Sequence, residues 1–192
     1  MNITLAQSQD APAIANIHKT EISGGFLSSL PEAFLEKFYE AIILSPVSFC
    51  VVAKENNQVV GFVAGTTDIS TFYRYFFTHY FFQSFFIVLP KLFSSFKKIA
   101  ETLLYPTKEK ALPKAELLTI AVKKEFQGRG IAGQMFKEFT AEMRKRNIKE
   151  FKVLVGANLP QAIHFYEKNG FRFVKNTSVH GKAVSKIYVY TL

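Results

Sequence analysis

Ala115-Glu116-Leu117-Leu118-Thr119-Ile120-Ala121-Val122 leads, through Lys123–Phe126, into Gln127-Gly128-Arg129-Gly130-Ile131-Ala132-Gly133 and then a long amphipathic segment. An apolar run short enough for a central strand ends in a glycine-rich turn, and the turn opens a helix. Such a turn aims several backbone N–H groups at one point, where the unpaired donors and positive dipole end of the helix favour an anion. Gly128 and Gly130 let the main chain approach a ligand with no Cβ in the way, and Ala132 and Gly133 keep the first helical turn slim. A glycine pair alone is weak evidence; its place between a strand and the most regular helix of the chain makes it specific.

The helix after the turn reads Ile131–Arg146. Ala132, Met135, Phe136, Phe139 and Met143 form an apolar stripe, while Lys137, Glu138, Glu142, Lys145 and Arg146 face water. Arg144, Lys145 and Arg146 suit the negative end of the dipole, and Asn147 suits a left-handed cap. A strand follows at Phe151–Val155, then a helix over Pro160–Asn169 stopped by Gly170. Two alternating strands close the chain at Phe171–Lys175 and Val184–Tyr190, with His180 and Gly181 near their turn.

Upstream, Ile3–Leu5 opens as a strand. Ser8 or Asp10 caps a helix carrying Ala13, Ile14 and Ile17, and Gly24-Gly25 breaks it. Pro31 suits the first turn of a second helix with Phe34, Leu35, Phe38, Ala41 and Ile42 on one face. Phe49–Ala53 and Gln58–Thr66 are strands joined by the polar hairpin turn Lys54–Asn57. The resulting order is β-α-α-β-β, then an insert from about 69 to 113, then β-α-β-α-β-β.

The insert holds nine of the 21 phenylalanines. Its densest apolar run, Tyr75–Leu89, contains His79 and Gln83 and stops at Pro90, short of the ~20 residues a membrane-spanning helix needs. Lys91, Lys97 and Lys98 accompany a second amphipathic segment with Leu92, Phe93 and Phe96. Three readings stay open: helices packed on the domain's own sheet or over its cleft, a homodimer contact, or a surface resting on a membrane.

The chain has 192 residues, 48% of them apolar, which fits a single folded domain spanning 1–192. Its one cysteine, Cys50, excludes an intrachain disulfide and suits a reducing compartment; its place in an apolar run reads as core. The start Met1-Asn2-Ile3-Thr4-Leu5 carries no secretory pattern, so the expected location is cytoplasmic. The formal charge of +9 suits a phosphate-rich ligand, a nucleic acid or an anionic surface. Few aromatic residues interleave with the basic ones of Lys123–Lys152, which disfavours nucleic acid. His18, His79, His164 and His180 are scattered, so no metal site is expected.

Two stretches together resemble the GNAT superfamily of N-acyltransferases. The first is Gln127-Gly128-Arg129-Gly130-Ile131-Ala132, which fills each position of the superfamily's Gln/Arg-x-x-Gly-x-Gly/Ala signature. The second is Asn158 followed by a helix ending in Phe165-Tyr166-Glu167-Lys168-Asn169-Gly170-Phe171. The resemblance is specific over about Ala115–Leu192 and weaker, in element order, over Ile3–Thr67. It implies an α/β domain with a mixed, twisted sheet, helices on both faces, and parallel strands Leu117–Val122 and Phe151–Val155 that splay into a wedge.

By the same resemblance, acetyl-CoA is the expected cosubstrate. Backbone N–H groups of Arg129, Gly130, Ile131, Ala132 and Gly133, in the turn begun by Gln127 and Gly128, would hold its pyrophosphate. Ile120, Ala121 and Val122 would pair with the pantetheine arm and bind the thioester oxygen. Asn158 would bond a pantetheine amide, or serve as a cap. The face formed by Ala162, Phe165, Tyr166 and Asn169 would look at the cofactor, with Tyr166 as general acid for the leaving thiolate. Without the flanking pattern, Tyr166 would read as a core tyrosine. Glu116 is the base candidate by analogy, or a surface glutamate at a strand end; Glu21 and His18 would border the acceptor. The arginine side chain of Arg129 pairs with phosphate or is solvated.

The implied reaction is direct attack of a primary amine, on a small molecule or peptide, in a ternary complex. Alternatives are an acyltransferase for an amino-sugar or lipid-linked acceptor at a membrane surface, and a non-catalytic acyl-CoA-binding module.

Overall fold

From Val59 to Thr66 every residue of one strand is buried, a pattern that arises when both faces of a sheet are covered. A computed structural model of the chain describes residues 1–22, 24, 27–88, 112–178 and 184–192, without the side chains of 81–88. The elements in chain order are β1 (Asn2–Leu5), α1 (Ala11–Glu21), α2 (Glu32–Leu44), β2 (Ser48–Glu55), β3 (Gln58–Thr66) and α3 (Ile69–Val88). After the undescribed stretch come β4 (Glu116–Val122), α4 (Ile131–Lys145), β5 (Glu150–Gly156), α5 (Pro160–Lys168), β6 (Arg172–Ser178) and β7 (Val184–Thr191). This is the order read from the sequence.

The seven strands form one mixed sheet in the order β1-β2-β3-β4-β5-β7-β6. Only β4 and β5 are parallel neighbours. One face is covered by α4 and α5, with Phe136, Phe139, Phe151, Phe171 and Tyr188 in its core. The other lies beneath α1, α2 and the start of α3, with Ile14, Ile17, Leu35, Phe38, Tyr39 and Phe62 packed together. Cys50 belongs to that second layer and is buried, as its surroundings predict. The β2–β3 hairpin turns on Asn56 (φ 49°) and Asn57 (φ 64°), both left-handed, as a tight two-residue turn requires. Asn147, at φ 61°, ends α4 in the expected left-handed conformation.

Helix α3 begins where Asp68 Oδ1 accepts from the Thr71 N–H at 3.0 Å. Phe72, Phe76 and Tyr80, spaced four apart, are buried. Phe38 of α2 meets Phe72 and Phe76 edge-on, each with ring centroids 5.5 Å apart. Such pairs add about 1 kcal/mol each beyond their buried area. The first part of the insert therefore packs on its own domain. Residues 89–111, with Lys91, Phe93, Phe96, Lys97 and Lys98, lie outside the described residues, as does the turn at His180 and Gly181. Among the described residues, no helix is long and apolar enough to cross a membrane.

Candidate active site

β4 and β5 pair only at Glu116↔Lys152 and Leu117↔Val153. The reason lies on the other edge of β4. Its register with β3 jumps from Ala64↔Thr119 to Gly65↔Leu117, leaving Leu118 as an extra residue. A bulge bends its strand and increases the local twist, so β4 swings away from β5. Close approach of α4 helps fix the bend: a Cβ on Gly65 would lie 2.5 Å from Phe139 Cε2 and 2.9 Å from the Glu116 carbonyl oxygen. The result is the expected wedge, lined by Thr119–Val122 on one side and Leu154–Gly156 on the other.

The glycine-rich turn stands at the open end of β4. Gly128 (φ 76°) and Gly130 (φ 75°) are left-handed, and a Cβ at either would meet no atom within 4 Å. The first helical bond of α4 runs from the Gln134 N–H to the Gly130 oxygen at 3.1 Å. The N–H groups ahead of Gln134 consequently have no partner inside the helix, and Gly128, Arg129, Gly130 and Gly133 are exposed. Gln127 acts through its side chain, whose Nε2 donates to the Val122 oxygen at 2.9 Å and ties the turn to the strand end. The Arg129 guanidinium folds back, donating to the Glu125 oxygen at 2.9 Å and lying 5.0 Å from the Phe126 ring centre. These residues fit a diphosphate: the cradle is open, glycine-lined, rich in free N–H donors and at the positive end of a 15-residue helix.

α5 starts just after the end of β5, and Ala162, Ile163, Phe165 and Tyr166 join the core beneath α4. Tyr166 is 5% exposed and packs edge-on against Phe171 (5.1 Å) and Phe165 (5.6 Å). Burial pushes its phenol well above the usual value, so it stays protonated at neutral pH. Its hydroxyl makes no hydrogen bond among the described residues, yet is not sealed in; Glu116 Oε2 is the only sealed, unbonded side-chain atom among them. Phe165 is half-buried and leans on Phe136, with centroids 6.0 Å apart. Asn158 is exposed and caps nothing: Leu159 holds the cap position, and no side chain bonds the first turn of α5. A Cβ on Gly156 would lie 2.8 Å from Asn158 Oδ1, so glycine lets that amide fold over the strand end.

Glu116 is not a surface glutamate. It is 8% exposed, and its Oε2 forms an ion pair with Lys152 Nζ at 3.3 Å but accepts no hydrogen bond. Lys152 Nζ donates instead to the Pro113 oxygen. Burial raises the Glu116 carboxyl above its ordinary value, and Lys152 opposes the shift. Tyr73 of α3 feels that carboxylate, which adds to the effect of burial in raising its phenol. Sequence reasoning missed Lys152, although a lysine alternating with Phe151 and Val153 in an apolar strand signals a buried partner of opposite charge. His18 is buried, 3% exposed, with its Nε2 3.1 Å from Ser28 Oγ in the α1–α2 connection. Among the described residues, no group of three His, Cys, Asp or Glu side chains is placed to hold a metal ion.

A sequence profile described as the acetyltransferase (GNAT) family matches residues 12–171. No curated protein sequence matches the chain. Among solved structures, the chain is similar to Ard1 from Thermoplasma volcanium, with 15% identity, a TM-score of 0.65, and coverage of 100% of this chain and 97% of that one. It is similar to the ribosomal-protein-S18-alanine N-acetyltransferase from Escherichia coli, with 14% identity, a TM-score of 0.63, and coverage of 99% and 92%. It is also similar to yncA from Salmonella typhimurium, solved with its cofactor acetyl-CoA, with 14% identity, a TM-score of 0.62, and coverage of 100% and 94%. The profile spans most of the sequence, and the splayed strands and glycine cradle fall inside it: the chain belongs to the acetyltransferase (GNAT) family.

Proposed function

We propose that the protein transfers an acetyl group from acetyl-CoA to a primary amine by direct attack, with Tyr166 as general acid and Glu116 as base. The observation that supports this reading is the open, glycine-lined N-terminus of α4, which follows β4, a strand that pairs with β5 at only two positions. Acetyl-CoA, when bound, supplies an acyl carbon made electrophilic by a good leaving group.

The chain's own residues do the rest. Backbone N–H groups of Arg129 through Gly133 hold the pyrophosphate. The edge of β4 at Ile120, Ala121 and Val122, left unpaired toward β5, offers main-chain donors and acceptors to the pantetheine arm. The Asn158 amide supplies a further bond from the β5 side. Tyr166 Oη keeps its proton at neutral pH and holds it for the departing sulfur. Glu116, raised by burial, accepts a proton from the acceptor nitrogen more readily than an ordinary carboxylate. Acceptors of this chemistry are small-molecule or peptide amines.

The test pairs calorimetry of acetyl-CoA, free CoA and an oligonucleotide with thiol release across a panel of primary amines. CoA binding with amine-dependent thiol release is the expected result. Absence of heat with any CoA species, on folded protein, overturns the proposal. CoA binding without thiol release from any amine points to the non-catalytic module.

A further inference from the structure

Glu116 and Lys152 sit opposite each other at one of the two rungs that join β4 to β5. Leu117 and Val153, the next residue along each strand, belong to the core beneath α4. Side chains alternate across a sheet, so Glu116 and Lys152 both point to the other layer, that of α1, α2 and α3. The Lys152 side chain is fixed there. Its main-chain N–H donates to the Ala115 oxygen at 3.0 Å, and Nζ donates to the Pro113 oxygen. With that side chain 3% exposed, the charge is kept out of water and 3.3 Å from Glu116 Oε2.

No other cation serves this carboxylate among the described residues. Thr66, its neighbour across β3, gives its hydroxyl proton to the Val47 oxygen at 2.8 Å. Lys114 is exposed and pairs with Asp68 at 3.9 Å. Tyr73 of α3 keeps its phenol proton, raised by burial first and by the Glu116 charge second. Charge and hydrogen bond act differently on a base. A hydrogen bond occupies a lone pair, whereas a nearby cation favours the ionised form and leaves the lone pair open. Glu116 Oε2 has the cation without the bond. A buried oxygen left unbonded calls for a partner, and an incoming N–H is one. Burial alone would hold the carboxyl protonated, and Lys152 opposes that effect.

We propose that Lys152 is the positioning residue that keeps Glu116 ionised and open to the acceptor amine. The inference rests on the acetyl-transfer reading with Glu116 as base. The acceptor ammonium gives one proton to the carboxylate. An N–H bond breaks, an O–H bond forms on Glu116, and the electron pair stays on nitrogen for the attack. Lys152 gives up no proton and takes none. In this role it touches neither acetyl-CoA nor the amine, and acts through Glu116.

The test is the pH profile of kcat/KM, read with an amine that supports thiol release. Lys152→Gln removes the charge and keeps an N–H donor for the Pro113 oxygen. Its acid limb should move up by about two pH units, the usual effect of losing an opposite charge this close. Below both limbs kcat/KM should then fall about a hundredfold, and above both it should match wild type. Lys152→Arg, which keeps the charge, should leave the limb near its wild-type position. A Lys152→Gln limb that does not move, or a loss of equal size at every pH, overturns the inference and leaves acetyl transfer standing. If Lys152→Gln does not fold, carbon and nitrogen NMR titration of the wild-type side chains decides. Glu116 should be ionised and Lys152 charged at about pH 7; a protonated Glu116 or a neutral Lys152 overturns the inference. Glu116→Gln at wild-type turnover removes Glu116 as base and this role with it. Wild-type protein that releases no thiol with any amine removes acetyl transfer itself.

Discussion

Glu116 and Lys152 face each other in the short stretch where β4 and β5 still pair, with Glu116 Oε2 3.3 Å from Lys152 Nζ. The ion pair marks the apex of the wedge: below it the strands are joined, above it they part. Both side chains are buried, so each charge depends on the other and on the few polar atoms around it. Removing one partner of such a pair leaves an uncompensated charge and typically costs about 3–5 kcal/mol.

That environment fixes a pH dependence. Burial, opposed by Lys152, holds the Glu116 carboxyl above its unfolded value. A group raised in the folded state contributes stability that is complete below the unfolded value, about 4.3 for Glu, and is lost as pH rises through the folded value. Glu116→Gln should remove this slope, so the melting temperatures of variant and wild type should diverge with pH inside that window. Parallel curves across it would show that the carboxyl is not raised. Lys152→Met should move the window to higher pH.

Tyr166→Phe deletes a hydroxyl that bonds nothing among the described residues. The fold should tolerate it, with a stability change within about 0.5 kcal/mol. Turnover should fall about a hundredfold, the scale of a lost general acid, with the dissociation constant for CoA kept. Steady-state kinetics beside calorimetry separates the two effects; unchanged kcat removes Tyr166 from the chemistry.

Gly133 and Gly130 should respond in opposite senses to alanine. Gly133 lies in the first turn of α4 with open space around its missing Cβ, so alanine should raise stability by about 0.5–1 kcal/mol through helix propensity. Gly130 sits at φ 75°, where alanine costs roughly 1 kcal/mol. Both methyls would intrude on the cradle, so both variants should bind CoA more weakly. A Gly133→Ala protein with wild-type CoA affinity would place the diphosphate elsewhere.

Gln127→Ala cuts the tie from Nε2 to the Val122 oxygen. The lost bond is worth about 1 kcal/mol, and it orients the cradle rather than touching the ligand. CoA affinity should weaken severalfold while kcat at saturation holds. A fall in kcat with affinity intact would assign Gln127 a different role.

Much of this was legible in the residues. Helical spacing from Ile131 onward, the punctuation at Gly130, Asn147 and Gly170, and the Asn56-Asn57 turn placed these elements within a residue or two, because these depend on local backbone preference; the exception is β6, which runs to Ser178 rather than Lys175. The cradle was legible for the same reason: two left-handed glycines ahead of an amphipathic helix specify it without help from distant residues. Arg129 was different, since its place over Phe126 depends on how the preceding turn folds.

The sequence by itself thus determined the order of strands and helices, the family signatures and the glycine-rich turn that opens α4, all set by neighbours within a few positions. Tertiary structure alone decided that Leu118 is an extra residue against β3, that β4 therefore leaves β5 after Leu117, and that Glu116 is enclosed with Lys152. It also tied His18 of α1 to Tyr39 of α2 and to Ser28. Register across a sheet and the burial of a charge are long-range outcomes: they follow from which faces pack together, and side chains far apart in the chain share that choice.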